Sequence, residues 1–207
     1  TPDVGDFLSG IGRVLDEPNA DSSCLPTYLL SRFARARVTV CVSGDGGDEL
    51  FAGYGRYFDT LAEQRSASAG RLPDWHPGPA YYSSRILICT EPCIEELFGA
   101  VPEGLKRRLA VLRGELDKPG QQDLLCRLRQ TDVENYMPGA VLAKVDRMSM
   151  QHALEVRTPF LNRDLATFAE KVPPHLLYDG RRGKVLLREL AYRYLPRAMI
   201  DAPKRGF

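Results

Sequence analysis

The stretch VTVCV at residues 38–42, followed at once by SGDGGDE at residues 43–49, determines the predicted fold. Its first part is uncharged and rich in β-branched residues, which predicts a short buried strand. The pattern before it predicts a helix that begins after the capping cluster at residues 21–23 and stops near Arg37. A helix, a buried strand and a glycine-rich acidic turn in succession are typical of α/β folds that handle nucleotides.

The last third of the chain is predicted to be mostly helical, because its apolar residues recur three and four positions apart. One helix follows Pro138-Gly139, a pair expected to break the preceding structure. A second is capped by Asn162 and ends before Pro173, and a third ends before Pro196. Between the first two helices, residues 154–160 are predicted to form a loop or a short extended piece.

The middle of the chain, from residue 64 to residue 130, is less informative. The turn-rich segment at residues 71–79 predicts a surface loop. Since no stretch has the composition of a linker, the sequence predicts one domain, residues 1–207.

Composition limits the function classes that the chain can serve. A formal net charge of +1 over 207 residues provides no electrostatic field to recruit nucleic acid or an anionic membrane. No apolar run approaches the roughly 20 residues of a membrane span. The five cysteines form no C-x-x-C pair, and the three histidines lie far apart in the chain, so no zinc site is predicted. Reduced thiols in a cytoplasmic protein are the expectation.

The turn at residues 43–49 has a composition suited to a Mg²⁺-nucleotide. Its three glycines let the backbone approach a ligand closely and expose N–H groups to an anion. Asp45, Asp48 and Glu49 would repel a phosphate unless a cation lay between them. A glycine-rich surface turn with solvated acids is the alternative. The dinucleotide, P-loop and EF-hand patterns do not fit.

Five blocks along the chain resemble, in order, those of the asparagine synthetase family. The first is the turn itself with the residues after it, SGDGGDELFAGY at residues 43–54, which resembles the family signature S-G-x-G-x-D-E-x-F-x-G-Y. The other four are residues 135–150, the segment LEVRTPFL at residues 154–161, the segment around Gly183 to Arg188, and PKRGF at residues 203–207.

This resemblance implies a fold, a reaction and partners. The fold would be α/β, mostly helical, and part of a Rossmann-like adenine nucleotide alpha-hydrolase (PP-loop ATP pyrophosphatase) domain. The reaction would be ATP-dependent amidation of the aspartate side chain through an acyl-adenylate, with ammonia from glutamine. The enzyme would be a carbon–nitrogen ligase of asparagine biosynthesis that uses ATP and Mg²⁺.

The resemblance also implies roles for individual residues. Ser43, Gly44 and Gly46 would line the nucleotide and substrate site, and Asp48 would be a Mg²⁺ ligand. Asp45 would face the reacting carboxyl group or the incoming ammonia. Lys184, predicted to lie in the first turn of a helix, would reach the phosphate or the developing oxyanion.

Three departures from the family pattern define the alternatives. The N-terminal glutaminase domain and the S-G-G-x-D-S pyrophosphate loop are not in these residues, so we expect a C-terminal part of a longer enzyme that is inactive alone. Ala140 stands where an acidic residue is common, which leaves two explanations: another acid such as Asp146 compensates, or the substrate or mechanism differs. An amidotransferase acting on another carboxylate, such as a sugar acid, and a degenerate non-catalytic module both stay open, as does a homodimer.

Overall fold

Two short strands form the sheet of the structure, a computed structural model that describes residues 4–17, 19, 21–118 and 123–203. Strand β1 (Val40–Val42) pairs in parallel with β2 (Glu155–Arg157). The pairing extends past β1, because the Ser43 backbone N–H donates to the carbonyl of Arg157 at 2.8 Å. The strand predicted at residues 38–42 and the short extended piece predicted at residues 154–160 are therefore partners.

Helices make up most of the described residues. They are α1 (Val4–Val14), α2 (Cys24–Arg35), α3 (Gly47–Leu50), α4 (Gly55–Ser68), α5 (Pro77–Tyr81), α6 (Glu91–Phe98), α7 (Glu103–Asp117), α8 (Leu124–Thr131), α9 (Ala143–Met150), α10 (Arg163–Glu170), α11 (Pro174–Leu177), α12 (Val185–Ala191) and α13 (Arg197–Ile200). Two π-helices (Tyr82–Ile86 and Asp132–Leu142) and a 3₁₀-helix (Pro159–Leu161) complete the order. Across the described ranges, no helix is both long and apolar enough to span a membrane.

Strand β1 is not buried, contrary to the prediction. Its outer residues Val40 and Val42 are 38% and 72% exposed, and only Cys41 between them is half-buried. In the described residues β1 has one neighbouring strand, β2; helix α9 packs against β2, and α2 packs against α9. Alternate side chains of a strand face opposite sides, so the side carrying Val40 and Val42 stays open.

The predicted break at Pro138-Gly139 is also wrong. The π-helix Asp132–Leu142 runs through Pro138 and continues directly into α9. Proline lacks a backbone N–H and crowds the preceding α-helical turn, and a π-helical stretch is one way in which a helix accommodates such a disturbance. The loop predicted at residues 71–79 is likewise shorter than expected, because α5 begins at Pro77 and buries Gly78.

The buried core lies among the helices rather than at the sheet. Phe51, Tyr57, Tyr81, Leu125 and Leu128 are almost fully buried and belong to one contiguous apolar cluster. This cluster begins at Leu50, the last residue of α3, so it directly supports the turn that leaves β1. The predicted cap of α10 is confirmed, because the Asn162 side chain accepts hydrogen bonds from two backbone N–H groups of that helix.

Candidate active site

The glycine-rich turn leaves β1 and winds immediately into α3. The Gly47 N–H donates to the Gly44 carbonyl at 3.2 Å, and the Leu50 N–H donates to the Gly46 carbonyl at 2.9 Å. Gly46 has a φ of 86°, in the left-handed region that favours glycine. A Cβ at Gly46 would also lie 2.5 Å from Leu161 Cδ2, so a larger residue there would force the Leu161 side chain to shift.

The segment after β2 packs against this turn. The Phe160 and Phe51 rings meet edge to face with centroids 5.9 Å apart. A Cβ at Gly47 would come within 3.2 Å of the Phe160 ring. Two sequence blocks that lie about a hundred residues apart, at residues 43–54 and 154–161, therefore form one unit.

Asp45 opens onto a cavity of about 210 Å³ at the carboxyl end of β1. The Ser43 hydroxyl donates a hydrogen bond to the Asp45 carboxylate, and both residues line the cavity together with Lys144. Much of the remaining wall is apolar and comes from α2, β1 and β2. Ligands of open parallel sheets bind outside the carboxyl ends of the strands, so this position suits a small polar ligand.

Lys144 is fixed by partners from the start of α2. Its ammonium lies 2.6 Å from an Asp21 carboxylate oxygen and 2.7 Å from the Ser23 hydroxyl. Burial alone would raise the pKa of Asp21, but the hydrogen bonds from Lys144 and Ser23 outweigh burial and lower it. Lys144 itself is in α9, so this ion pair joins two different elements.

Asp48 and Lys184 meet on the other side of the turn. The Lys184 ammonium lies 3.1 Å from Asp48 Oδ1, and about a quarter of each side chain is exposed. The sequence predicted Lys184 in the first turn of a helix, but the structure places it immediately before α12, with a left-handed φ of 56°. Its backbone N–H donates to the Phe51 carbonyl at 3.1 Å, which anchors this conformation against the residues after α3.

Two glycines leave space at and around this ion pair. A Cβ at Gly53 would lie 1.8 Å from Asp48 Oδ1 and 2.2 Å from Lys184 Cε. A Cβ at Gly183 would lie 2.1 Å from the Ala52 carbonyl oxygen. Gly53 therefore makes room for two side chains, whereas Gly183 makes room for the backbone.

Buried groups hold α3 in position. The Arg129 guanidinium on α8 donates to the carbonyls of Glu49, Leu50 and Ala169, and it is almost fully buried. The Glu49 side chain accepts a hydrogen bond of 2.6 Å from the Tyr54 hydroxyl. Burial raises the pKa of Glu49, although the hydrogen bond from Tyr54 acts in the opposite direction.

A second buried network lies behind Tyr54. One oxygen of the fully buried Asp132 accepts hydrogen bonds from Arg56 at 2.5 Å, Tyr57 at 2.6 Å and Tyr81 at 2.7 Å. The Arg56 guanidinium also lies over the Tyr54 ring, 3.7 Å from its centroid. Tyr57 is completely buried, so its ring serves packing in the core.

The residues present fit a magnesium ion that is carried in by a nucleotide. The described residues contain no group of three or more His, Cys, Asp or Glu side chains that could hold a metal by themselves. Mg²⁺ usually keeps several waters and is bound by one or two carboxylates together with substrate phosphates. Asp48, about a quarter of whose side chain is exposed, could supply one such carboxylate.

The structure groups the predicted site residues into two sets around one turn. Ser43 and Asp45 face the cavity, while Asp48 lies beside Lys184; Gly44 and Gly46 form the turn between them. Sequence reasoning did not propose the cavity lining by Lys144 or the space left by Gly53. The one sequence signal for the space beside the ion pair was the presence of glycine at positions 53 and 183 in the family-like blocks.

The described residues thus define a mostly helical α/β chain with a glycine-rich, acidic turn at the end of a parallel strand. The family model of asparagine synthase matches residues 2–207, and the chain belongs to this family.

Individual relatives agree with this assignment. The chain is 28% identical over 215 residues to asparagine synthetase [glutamine-hydrolyzing] 1 of Bacillus subtilis, covering 93% of this chain and 34% of that protein. It is 28% identical over 229 residues to a putative asparagine synthetase of Mycobacterium tuberculosis, covering 98% and 35%. A putative synthetase of Methanocaldococcus jannaschii is 48% identical over 52 residues, which cover 25% of this chain and 10% of that protein. The chain spans about a third of the length of the first two relatives.

Proposed function

We propose that the chain is the C-terminal part of the synthetase domain of a glutamine-dependent asparagine synthetase, with a Rossmann-like PP-loop fold completed by other segments. The observation that carries this proposal is the turn at residues 43–49, which presents Asp45 to a cavity and Asp48 to Lys184. In a full-length protein, the aspartate side-chain carboxylate attacks the α-phosphorus of ATP and pyrophosphate leaves. Ammonia from a glutaminase domain then attacks the acyl-adenylate, and AMP leaves.

Asp48 and Lys184 have complementary tasks in this proposal. Asp48 supplies a carboxylate ligand to the Mg²⁺ that accompanies ATP, and the ion, when bound, shields phosphate charge and orients the leaving pyrophosphate. The Lys184 ammonium stabilises negative charge that builds on the phosphate during attack. Their direct contact of 3.1 Å holds the ammonium in place before the nucleotide arrives.

Ser43, Gly44, Gly46 and Asp45 shape the other half of the site. The glycines allow the turn to approach the nucleotide closely, and the hydrogen bond from Ser43 orients the Asp45 carboxylate toward the cavity. In that position Asp45 faces the reacting carboxyl group or the incoming ammonia, whose proton it can accept.

The test is the rate of pyrophosphate release by the full-length protein with aspartate, ATP and ammonia. Lys184→Ala should lower kcat on the order of a hundredfold with a smaller change in the KM for ATP, because the charge acts mainly in the transition state. Lys184→Arg should rescue poorly, since a planar guanidinium does not replace a compact ammonium. Lys106→Ala, at an exposed lysine of α7, is the matched control. Unchanged release by both Lys184 variants would refute the assigned role.

A different carboxylate substrate is the second candidate, and Ala140 favours it. The acid offered by the sequence as a replacement, Asp146, is 64% exposed and lies 3.6 Å from Arg147. An exposed Asp146 paired with Arg147 gives no support to the idea that it replaces the acid missing at position 140. Pyrophosphate release measured with a panel of carboxylates, including sugar acids, separates the two candidates. Pyrophosphate release with aspartate but with no other carboxylate would exclude the second candidate. No release with any carboxylate of the panel would favour a non-catalytic module.

A further inference from the structure

Two thiols that the sequence leaves unpaired come together in the structure. The sulfur atoms of Cys89 and Cys93 lie 3.7 Å apart. Cys89 is exposed in the turn before α6, and Cys93 is half-buried in the first turn of that helix. A disulfide has a sulfur–sulfur distance of about 2.05 Å, so the two sulfur atoms must approach each other by about 1.7 Å to form a bond.

The surroundings of the pair allow it to react. Helix α6 buries none of its residues, and the Glu91 side chain connects it to Arg113 of α7 through an ion pair. The local backbone can therefore adjust without disturbing the core. The other three cysteines lie elsewhere on the fold, in α2, β1 and α8, and all of them are at least half-buried.

The geometry points to a redox-active dithiol, in which Cys89 and Cys93 close to a reversible intramolecular disulfide when the protein meets hydrogen peroxide. The Cys89 thiolate attacks one peroxide oxygen, the O–O bond breaks, and a sulfenic acid and water form. The Cys93 sulfur then attacks the Cys89 sulfur, the S–O bond breaks, and a second water leaves. In total the two thiols lose two electrons and two protons, and one peroxide becomes two waters.

The order of the two thiols follows from their exposure. Cys89 is open to solvent and meets the oxidant first, whereas Cys93 is the thiol that closes the bond. The hydrogen bond with Cys89 and the proximity of its charge raise the pKa of Cys93, so Cys93 retains its proton more readily. Closure joins the turn at residues 87–90 to the first turn of α6.

Peptide mass spectrometry of the full-length protein can test this proposal directly. Trypsin cuts after Arg85 and Lys106, and the peptide between them contains Cys89 and Cys93 but no other cysteine. After treatment with hydrogen peroxide, this peptide should lose two hydrogens and resist alkylation. Dithiothreitol should restore both thiols.

Single serine variants provide the controls. Cys93→Ser should trap Cys89 as a sulfenic acid that dimedone labels, and Cys89→Ser should leave Cys93 labelled more slowly. Cys126→Ser, a change at a half-buried thiol of α8, should leave the disulfide unaffected. Two alkylated thiols in the oxidised wild type, or conversion of each cysteine to sulfinic acid without a bond, would overturn the proposal. This experiment does not depend on the synthetase reaction.

Discussion

Gly53→Ala tests whether the space beside Asp48 and Lys184 serves catalysis. The new methyl carbon would lie 1.8 Å from Asp48 Oδ1 and 2.2 Å from Lys184 Cε, whereas ordinary contacts begin at 3.4 Å. The carboxylate oxygen must therefore retreat by about 1.6 Å and the lysine carbon by about 1.2 Å, by comparison with that contact distance. Both atoms end flexible side chains, so these side chains move rather than the backbone.

The expected magnitudes distinguish catalysis from stability. Losing a half-exposed ion pair of this kind costs at most about 1 kcal/mol. A misplacement of about 1 Å in a catalytic group can cost on the order of a hundredfold in rate, which corresponds to about 2.7 kcal/mol of transition-state stabilisation. We therefore expect Gly53→Ala to fold almost as stably as the wild type and to release pyrophosphate about a hundred times more slowly.

The assay compares pyrophosphate release and thermal unfolding of the full-length protein with those of Gly55→Ala. A Cβ at Gly55 meets nothing within 4 Å, and the residue opens α4, so alanine there should be tolerated and even favour the helix. Gly53 does not have a left-handed φ, so backbone strain does not confuse the comparison. Near-normal turnover by Gly53→Ala would refute the reasoning, and a large fall in melting temperature would show that the glycine is structural.

Three further substitutions test buried groups behind the site and in the helical core. Asp132→Asn should destabilise the protein by about 3 kcal/mol in chemical denaturation, because it leaves a largely buried Arg56 without its countercharge. Burial raises the pKa of Glu49 in the folded protein, so between pH 4.5 and that raised pKa the folded wild type binds more protons than the unfolded chain. The wild type therefore loses stability as the pH rises through this range. Glu49→Gln lacks this titration and should gain stability relative to the wild type as the pH rises above 4.5. Melting temperatures measured from pH 4 to pH 7 check this sign, and a constant difference would contradict it. Gly78→Ala should destabilise by about 1–3 kcal/mol in thermal unfolding, since its Cβ would lie 2.4 Å from the Arg113 carbonyl oxygen, and a neutral effect would disprove this clash.

The sequence predicted the positions of helices and strands better than it predicted their burial and their connections. The helix before β1, the extended piece at β2 and the cap at Asn162 follow from local patterns, and the structure contains all three. The burial of β1 depends on what covers each side of the sheet, which no local pattern contains. Similarly, the Pro138-Gly139 pair predicts a break from local chemistry alone, while the structure continues the helix as a wider π-helical turn.

For the candidate site, the motif located the turn but not its contacts. Family resemblance placed Asp48 and Lys184 in one site, yet their direct pairing needs Gly53 and the left-handed backbone at Lys184, which only three-dimensional packing reveals. No local pattern reveals the ion pair of Lys144 with Asp21, because the two residues lie more than a hundred positions apart in the chain. Cys89 and Cys93 lacked a recognised spacing, and their proximity depends on where α6 begins.

Arg129 has a consequence for how variants of this protein should be interpreted. It comes from the stretch with the weakest family pattern, yet its guanidinium joins the carbonyl groups at the end of α3 to that of Ala169 in α10. A substitution there would remove hydrogen bonds to the end of α3 without changing any of the five family-like blocks. A mutational survey that scored turnover alone would group Arg129 with the residues of the glycine-rich turn, and only a parallel measurement of folding would show that its role is structural.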